Sequence, residues 1–142
     1  HGTSFQFTTV PSATVRADVR RVSRIVRNLV VNAIEHSEGK SIDVEIGTNQ
    51  SCVSLSVRDY GQGIDSKDLE RVFGRFWRAD PARPRTLGGT GLGLSISAED
   101  AALHGGEIAV WGELHKGAQF VLTLPRLEYA PISQPAILVG AP

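Results

Sequence analysis

Apolar residues recur along this chain with two different periods, and the switches between them mark out the elements. Phe5 and Phe7 alternate with polar neighbours across Thr3–Val10, the period of a half-buried strand, before a turn at Pro11. From Val19 the spacing lengthens: Val19, Val22, Ile25, Val26, Leu29, Val30, Ala33 and Ile34 form one stripe of a long amphipathic helix. Asp18 is its expected N-cap and Glu38-Gly39-Lys40 its end. Alternation returns at Ile42, Val44, Ile46 and again at Val53, Leu55, Val57, which predicts an antiparallel hairpin turning through Thr48–Ser51. Asp65 reads as the cap of a short helix leading into Val72–Arg78. Residues from Ala79 to Gly91 have no apolar period and read as a long mobile loop, of a length that compact domains seldom keep without a use. A helix from Leu92 to Leu103, with Leu92, Ile96 and Leu103 at helical spacing, should follow and stop at Gly105-Gly106. Ile108 and Val110, then Phe120, Leu122 and Leu124, predict a second hairpin through Gly112–Gly117. The order β-α-β-β-α-loop-α-β-β argues for an α+β sandwich, with helices on one face of a mixed sheet. The proline-containing tail after Pro125 has no period and is expected to be irregular or disordered, so the domain is read as 1–125 with a tail at 126–142.

Composition narrows this without changing it. At 142 residues and 41% hydrophobic content the chain suits one domain with a real core. Fifteen basic residues balance fifteen acidic ones, so no global charge draws it to nucleic acid. No apolar run is long enough to span a bilayer and no signal-peptide pattern opens the chain, so the segment is expected to be soluble. Cys52 is the single cysteine, which excludes an internal disulfide and a cysteine-based metal cluster, and suits a reducing setting.

Candidate chemistry begins at Leu87-Gly-Gly-Thr-Gly-Leu-Gly-Leu94, where glycines ahead of a helix N-terminus allow backbone N–H groups to converge on phosphate. No Lys-Ser/Thr pair follows, so this is not a Walker loop, and the dinucleotide Gly-x-Gly-x-x-Gly arrangement is not matched. Arg24, Asn28, Asn32 and His36 follow one another at i, i+4 on the flank of the first long helix, with Glu35 beside them. The two asparagines suit either a hydrogen-bonded helix face or Mg²⁺, which takes oxygen ligands and keeps waters. Asp59, before Gly61 and Gly63, suits either an Asx turn or an acceptor for an exocyclic amine such as that of adenine. Phe73 and Phe76 fit a core, and Arg75, Arg78, Arg83 and Arg85 fit either a solvated loop or guanidiniums reaching phosphate oxygens.

In this order, Asn28-Leu-x-x-Asn32-Ala, Asp59-x-Gly-x-Gly-Ile64, Phe73-x-x-Phe76 and Gly89-Thr-Gly-Leu-Gly-Leu94 resemble the N, G1, F and G2 boxes of the sensor histidine kinase ATP-binding domain. His104-Gly-Gly106 and Gly117-Ala-x-Phe120 resemble the end of its last long helix and its final glycine motif, so the likeness runs over roughly residues 3 to 125. Arg75-Phe-Trp-Arg-Ala-Asp-Pro81 and Trp111-Gly-Glu113 are most similar to MtrB-like sensor kinases of actinobacteria. The resemblance implies the Bergerat fold shared with gyrase B and MutL, a two-layer α/β sandwich whose mixed, mostly antiparallel sheet carries helices on one face and a mobile ATP lid. It implies ATP as substrate with Mg²⁺ on Asn32, Asn28 facing the phosphate and metal region, and Asp59 on the adenine amine, with Gly61, Gly63 and Ile64 shaping the base pocket. Gly89, Thr90, Gly91, Leu92, Gly93 and Leu94 would line the triphosphate, with Phe76 nearby, Arg78 as the phosphate-binding arginine and Arg75 as runner-up. Glu35 stands where many relatives carry a phosphate-binding lysine, His36 replaces an aromatic Tyr or Phe, and Ala118 replaces Thr or Ser.

The activity implied is transfer of the ATP γ-phosphoryl to a histidine on a dimerising helical domain that this chain lacks, then relay to a response regulator aspartate. Alone, the fragment is expected to bind ATP as a monomer without phosphorylating itself. The whole kinase is expected to be a homodimer at the cell membrane with this part on the cytoplasmic side. ATP-hydrolysing relatives and anti-sigma-factor serine kinases of the same fold use a glutamate where Asn28 stands, which argues against both; a non-catalytic nucleotide-binding module is the remaining alternative.

Overall fold

The computed structural model describes residues 3–74, 77, 93–126, 132 and 134–140. Five strands form one open sheet in the order β1-β2-β3-β5-β4, from β1 (Phe5–Thr8), β2 (Ile42–Thr48), β3 (Cys52–Asp59), β4 (Glu107–Glu113) and β5 (Gly117–Pro125). β1 pairs parallel to β2 and every other pairing is antiparallel. Among the described residues the two α-helices are α1 (Val19–His36) and α2 (Gly93–Leu103).

Register follows the apolar alternation. Val44 sits opposite Val57, and Val57 and Val110 each face Phe120, so one side of the sheet presents a continuous apolar surface. Ile25, Leu29 and Ala33 of α1 close the core over it, together with Ile42, Leu122 and Leu124. Asp18 caps α1 as expected, accepting from the backbone N–H of Arg20 at 2.9 Å and of Arg21 at 3.2 Å. Glu38 and Gly39, both at positive φ, end it.

The structure departs from the expected pattern in four places. β1 is an edge strand whose Phe7 is 68% exposed, so only Phe5 joins the core. Asp65 does cap a helix, accepting from the Lys67 N–H, but it is a single 3₁₀ turn (Ser66–Asp68) followed by more i→i+3 bonds, Arg71 to Asp68 and Gly74 to Arg71. Three-residue spacing is what buries Val72 while leaving Glu70 and Arg71 in solvent. α2 buries a small and polar face, Ser95, Ser97, Asp100 and Ala101, whereas Leu103 is 70% exposed. Its apolar spacing therefore does not mark its core face. Finally, the described tail residues hold no helix or strand yet are bonded to the outer side of the sheet, where the Ala136 N–H donates to Ser54 Oγ at 3.1 Å and the Gly140 N–H to Gln119 Oε1 at 2.9 Å.

Candidate nucleotide site

The inner face of the sheet and the C-terminal half of α1 enclose a pocket lined by Asn32, His36, Asp59, Gln62, Gly63, Ile64, Leu94, Ala118 and Phe120, with Trp77 at its edge. Asp59 ends β3 opposite Ala118, on the same side as Val57, so strand alternation itself aims its carboxylate inward. It is 2% exposed, and burial pushes its pKa from 3.8 up to about 6, against the backbone N–H bonds from Gly61 and Ala118 and the charge of Arg58, which pull it down. The Gly61 N–H donates to Asp59 Oδ1 at 3.0 Å, which leaves the carboxylate with acceptor capacity directed into the pocket.

The loop after Asp59 requires its glycines. A Cβ on Gly61 would lie 1.7 Å from the His36 carbonyl oxygen, and one on Gly63, at φ +76°, would lie 1.9 Å from that of Glu113. The loop is thus wedged between the end of α1 and the β4–β5 turn. It is held there by the Gln62 N–H on His36 O at 3.2 Å, the His115 N–H on Gln62 O at 2.8 Å, and a 2.9 Å contact of Gln62 Nε2 with His36 Nδ1. A flat ligand ring gains a rigid wall at the place where side chains are excluded.

The row on α1 divides between two tasks. Arg24 Nη2 and Nε bind Asp100 Oδ2 at 2.7 and 3.1 Å, Arg21 Nη1 binds Asp100 Oδ1 at 2.8 Å, and the carboxylate they share is 2% exposed. Burial works to raise the Asp100 pKa, but the bonds from Arg24 and Arg21 outweigh it and hold the carboxyl below its ordinary value. Asn28 Nδ2 donates to Gly93 O at 3.1 Å and Ser97 Oγ at 3.0 Å, so its amide ties α1 to the first turn of α2. Asn32 and His36, one and two turns on, reach the pocket. His104 closes the far end of α2. Its Nδ1 contacts Asp100 O at 2.7 Å and its Nε2 accepts from the Asp18 N–H at 3.0 Å, which assigns a neutral ring with the proton on Nδ1.

Of the residues expected from sequence, the structure brings Asn32, His36, Asp59, Gly63, Ile64 and Leu94 to one pocket, with Gly61 directly behind it. Glu35 is half-buried on α1 and Gly93 starts α2 against Asn28. Arg75, Phe76, Arg78, Gly89, Thr90, Gly91 and Leu92 lie outside the described residues, as does the 79–91 loop. Gln62, Trp77 and Phe120 line the pocket without having been singled out for it. The position of Gln62 inside the Asp59–Gly63 run was the available signal, whereas Phe120 reads from its alternation as core, which it also is. Among the described residues no group of three His, Cys, Asp or Glu side chains could hold a metal ion. The Asn32 amide oxygen is a hard donor at this pocket, which fits a Mg²⁺ ion held chiefly by waters and nucleotide phosphates and not by a protein cage.

Residues 17–128 match the family described as histidine kinase-, DNA gyrase B-, and HSP90-like ATPase. Sensor histidine kinase MtrB of Mycobacterium leprae is 46% identical over 138 residues, 94% of this chain and 25% of that protein. MtrB of Mycobacterium tuberculosis is 53% identical over 108 residues, 76% of this chain and 19% of that protein. The chain therefore spans about a fifth to a quarter of the length of these relatives. Among solved structures, the mycobacterial sensor histidine kinase MprB superposes with a TM-score of 0.77 at 28% identity, covering 89% of this chain and 86% of that one. Full-length ShkA in complex with AMPPNP gives 0.74 at 29% identity, covering 91% of this chain and 27% of that one. With a five-stranded mixed sheet and with Asn32, Asp59, Gly63, Ile64 and Leu94 of the ordered motifs lining one pocket, the chain belongs to the histidine kinase-, DNA gyrase B-, and HSP90-like ATPase family, as an ATP-binding catalytic domain of the sensor histidine kinase type.

Proposed function

We propose that this chain binds Mg·ATP with its adenine against Asp59 and presents the γ-phosphoryl to a histidine carried by a separate dimerisation domain, for onward relay to a response regulator aspartate. The observation that carries this reading is the buried Asp59 carboxylate, raised to about pH 6 by its surroundings and aimed into a pocket with glycine walls. A carboxylate there accepts from the adenine N6 amine, and Gly63, Ile64 and Ala118 leave room for the ring. Asn32 is the residue that would hold Mg²⁺, which when bound neutralises and orients the phosphate oxygens. Asn28 sets the position of Gly93, hence of the helix N-terminus that would face the phosphates. Arg78, with Arg75 second, is assigned to phosphate, along with the backbone of 89–94.

In the transfer itself an imidazole nitrogen attacks the γ-phosphorus, the bond to the β–γ bridging oxygen breaks, and ADP leaves. The protein's part is position and charge. Neither His36 nor His104 is placed as the acceptor: His36 contacts Gln62, and both ring nitrogens of His104 are spent on backbone groups. In this reading the acceptor domain and a membrane anchor belong to a longer protein of which 1–125 is the catalytic unit, and the response regulator is a separate partner; no helix among the described residues is long and apolar enough to cross a membrane.

Calorimetric titration with ATP, with and without Mg²⁺, tests the reading on this chain and on Asp59→Ala. Binding that depends on Asp59 and responds to Mg²⁺ is expected. Unchanged affinity in Asp59→Ala would overturn the adenine assignment. Phosphohistidine should appear only when a dimerisation domain is added, and its formation on this chain alone would refute the division of labour.

A further inference from the structure

Strand alternation places Arg58 on the side of the sheet away from the nucleotide pocket, opposite Asp43 on β2 and Gln119 on β5. The side chain is unusual for a charge on an outer face, since it is only 8% exposed. Its guanidinium carbon lies 4.7 Å from the Tyr60 ring centroid and 4.6 Å from that of Trp111. Stacking on two aromatic faces stabilises the cation and leaves its in-plane N–H edges as the direction for hydrogen bonds. Those edges are under-used: Nη2 reaches Lys116 O only at 3.5 Å, and Nε is buried with no acceptor at all. Among the described residues no carboxylate stands within ion-pair distance of Arg58. The Asp43 carboxylate, its cross-strand neighbour, accepts instead from the Tyr60 hydroxyl.

Around this arginine is an open recess of about 390 Å³, with Lys40 and Lys116 on its rim. Its lining carries three full positive charges against the one carboxylate of Glu113, which Lys116 Nζ meets at 3.0 Å. The molecule as a whole is neutral, so this is a local concentration of positive charge. A buried, aromatic-backed arginine with unsatisfied donors, surrounded by solvated lysines, has the anatomy of a protein-binding anchor with a charged rim. Arg58 occupies one face of each ring, so what the recess offers a partner beside the rings is chiefly positive charge. We infer that the Arg58 recess is a docking site for the side-chain carboxylates of an acidic protein segment, on the opposite face of the sheet from the nucleotide pocket.

The test is a titration of the ¹⁵N-labelled chain by NMR, reading the Trp111 indole, the Arg58 Nε–H and the Lys116 amide, with the Gly63 amide reporting on the nucleotide pocket. The probes are an end-blocked hexaglutamate peptide, inorganic phosphate, and end-blocked hexalysine at matched ionic strength. Saturable shifts at the three recess signals with hexaglutamate, and none with hexalysine, are expected. Lys40→Glu with Lys116→Glu, both on exposed rim positions, should weaken that binding about tenfold or more while the fold stays intact. Arg58→Lys, which keeps the charge but loses the planar fork, should weaken it as well. The inference is overturned if no recess signal saturates, if the shifts cluster at Gly63, if the rim variant binds as tightly as the parent, or if phosphate saturates the recess at lower concentration than the peptide.

Discussion

Asp59 sets function against stability at one residue. In an unfolded chain its carboxyl titrates at 3.8, in the native pocket at about 6, so between those values the native state holds a proton that the unfolded state has lost. Stability therefore falls as pH rises through this window, and above about pH 6 the whole cost is present, about 3 kcal/mol. Asp59→Asn removes the ionisation, so urea unfolding should show the variant more stable than the parent at pH 7.5, by up to about 3 kcal/mol, with the gain vanishing near pH 4. ATP affinity should move the other way. Only the ionised carboxylate offers its full acceptor set to the adenine amine, so binding to the parent should weaken below pH 6, approaching about tenfold per pH unit. The variant, already weak, should show only the nucleotide's own titration. A parent whose affinity changes with pH no more than the variant's would remove Asp59 from the adenine contact. The pattern Asp-x-Gly-x-Gly announces such a site because an acidic residue and two glycines stand together in the chain, although the carbonyls of His36 and Glu113 that require those glycines meet them only in the fold. The Arg21–Asp100–Arg24 cluster gives no comparable sign, since its members lie some 76 to 79 positions apart and meet only once α1 and α2 are packed.

Helix α2 shows where periodicity stops being informative. α1 carries a broad apolar stripe over five turns, buries Ile25, Leu29 and Ala33 from it, and was legible from Asp18 to Gly39. The strands were legible for the same reason, one side of the sheet being apolar and the other largely polar. α2 is shorter and meets α1 through Ser97, Asp100 and Gly93, so its contact face is polar and its apolar residues are partly left to solvent. What replaces apolar burial is charge: Asp100 is enclosed with two arginines that are each about half exposed. Removing a buried carboxylate that satisfies two guanidiniums is costly, though solvent reaching the arginines reduces the penalty. Asp100→Ala should lower stability by about 2 kcal/mol in urea unfolding. It should also weaken ATP binding, because Asn28 positions Gly93 only while α2 stays against α1. A variant with parental stability and affinity would show that the ion cluster holds nothing in place.

At the scale of the whole molecule, a two-layer sandwich leaves one face of its sheet without a helix, and that face is where the chain's length beyond Pro125 is put to use. Cys52, Ser54 and Thr123 point away from the helices, yet each is 1% exposed or less. Ser54 Oγ and Thr123 Oγ1 bond to each other at 2.8 Å, Ser54 also accepts from Ala136, and the Ile137 side chain lies against Gly47. Cys52 Sγ lies 3.3 Å from the Gln134 carbonyl oxygen, which also accepts from Asn49 Nδ2 at 2.8 Å. A segment with no apolar period thus covers a polar face through hydrogen bonds, an arrangement that periodicity does not report, because neither partner is patterned for it. Ending the chain after Arg126 should leave ATP affinity unchanged, since the pocket lies on the other face. The same truncation should expose the thiol, raising the rate of Cys52 modification by a thiol reagent about tenfold or more over the intact chain. Retained ATP binding separates local exposure from unfolding. Equal Cys52 rates in the two proteins would mean that the strap does not protect this face, while loss of ATP binding would mean that both faces of the sheet depend on it.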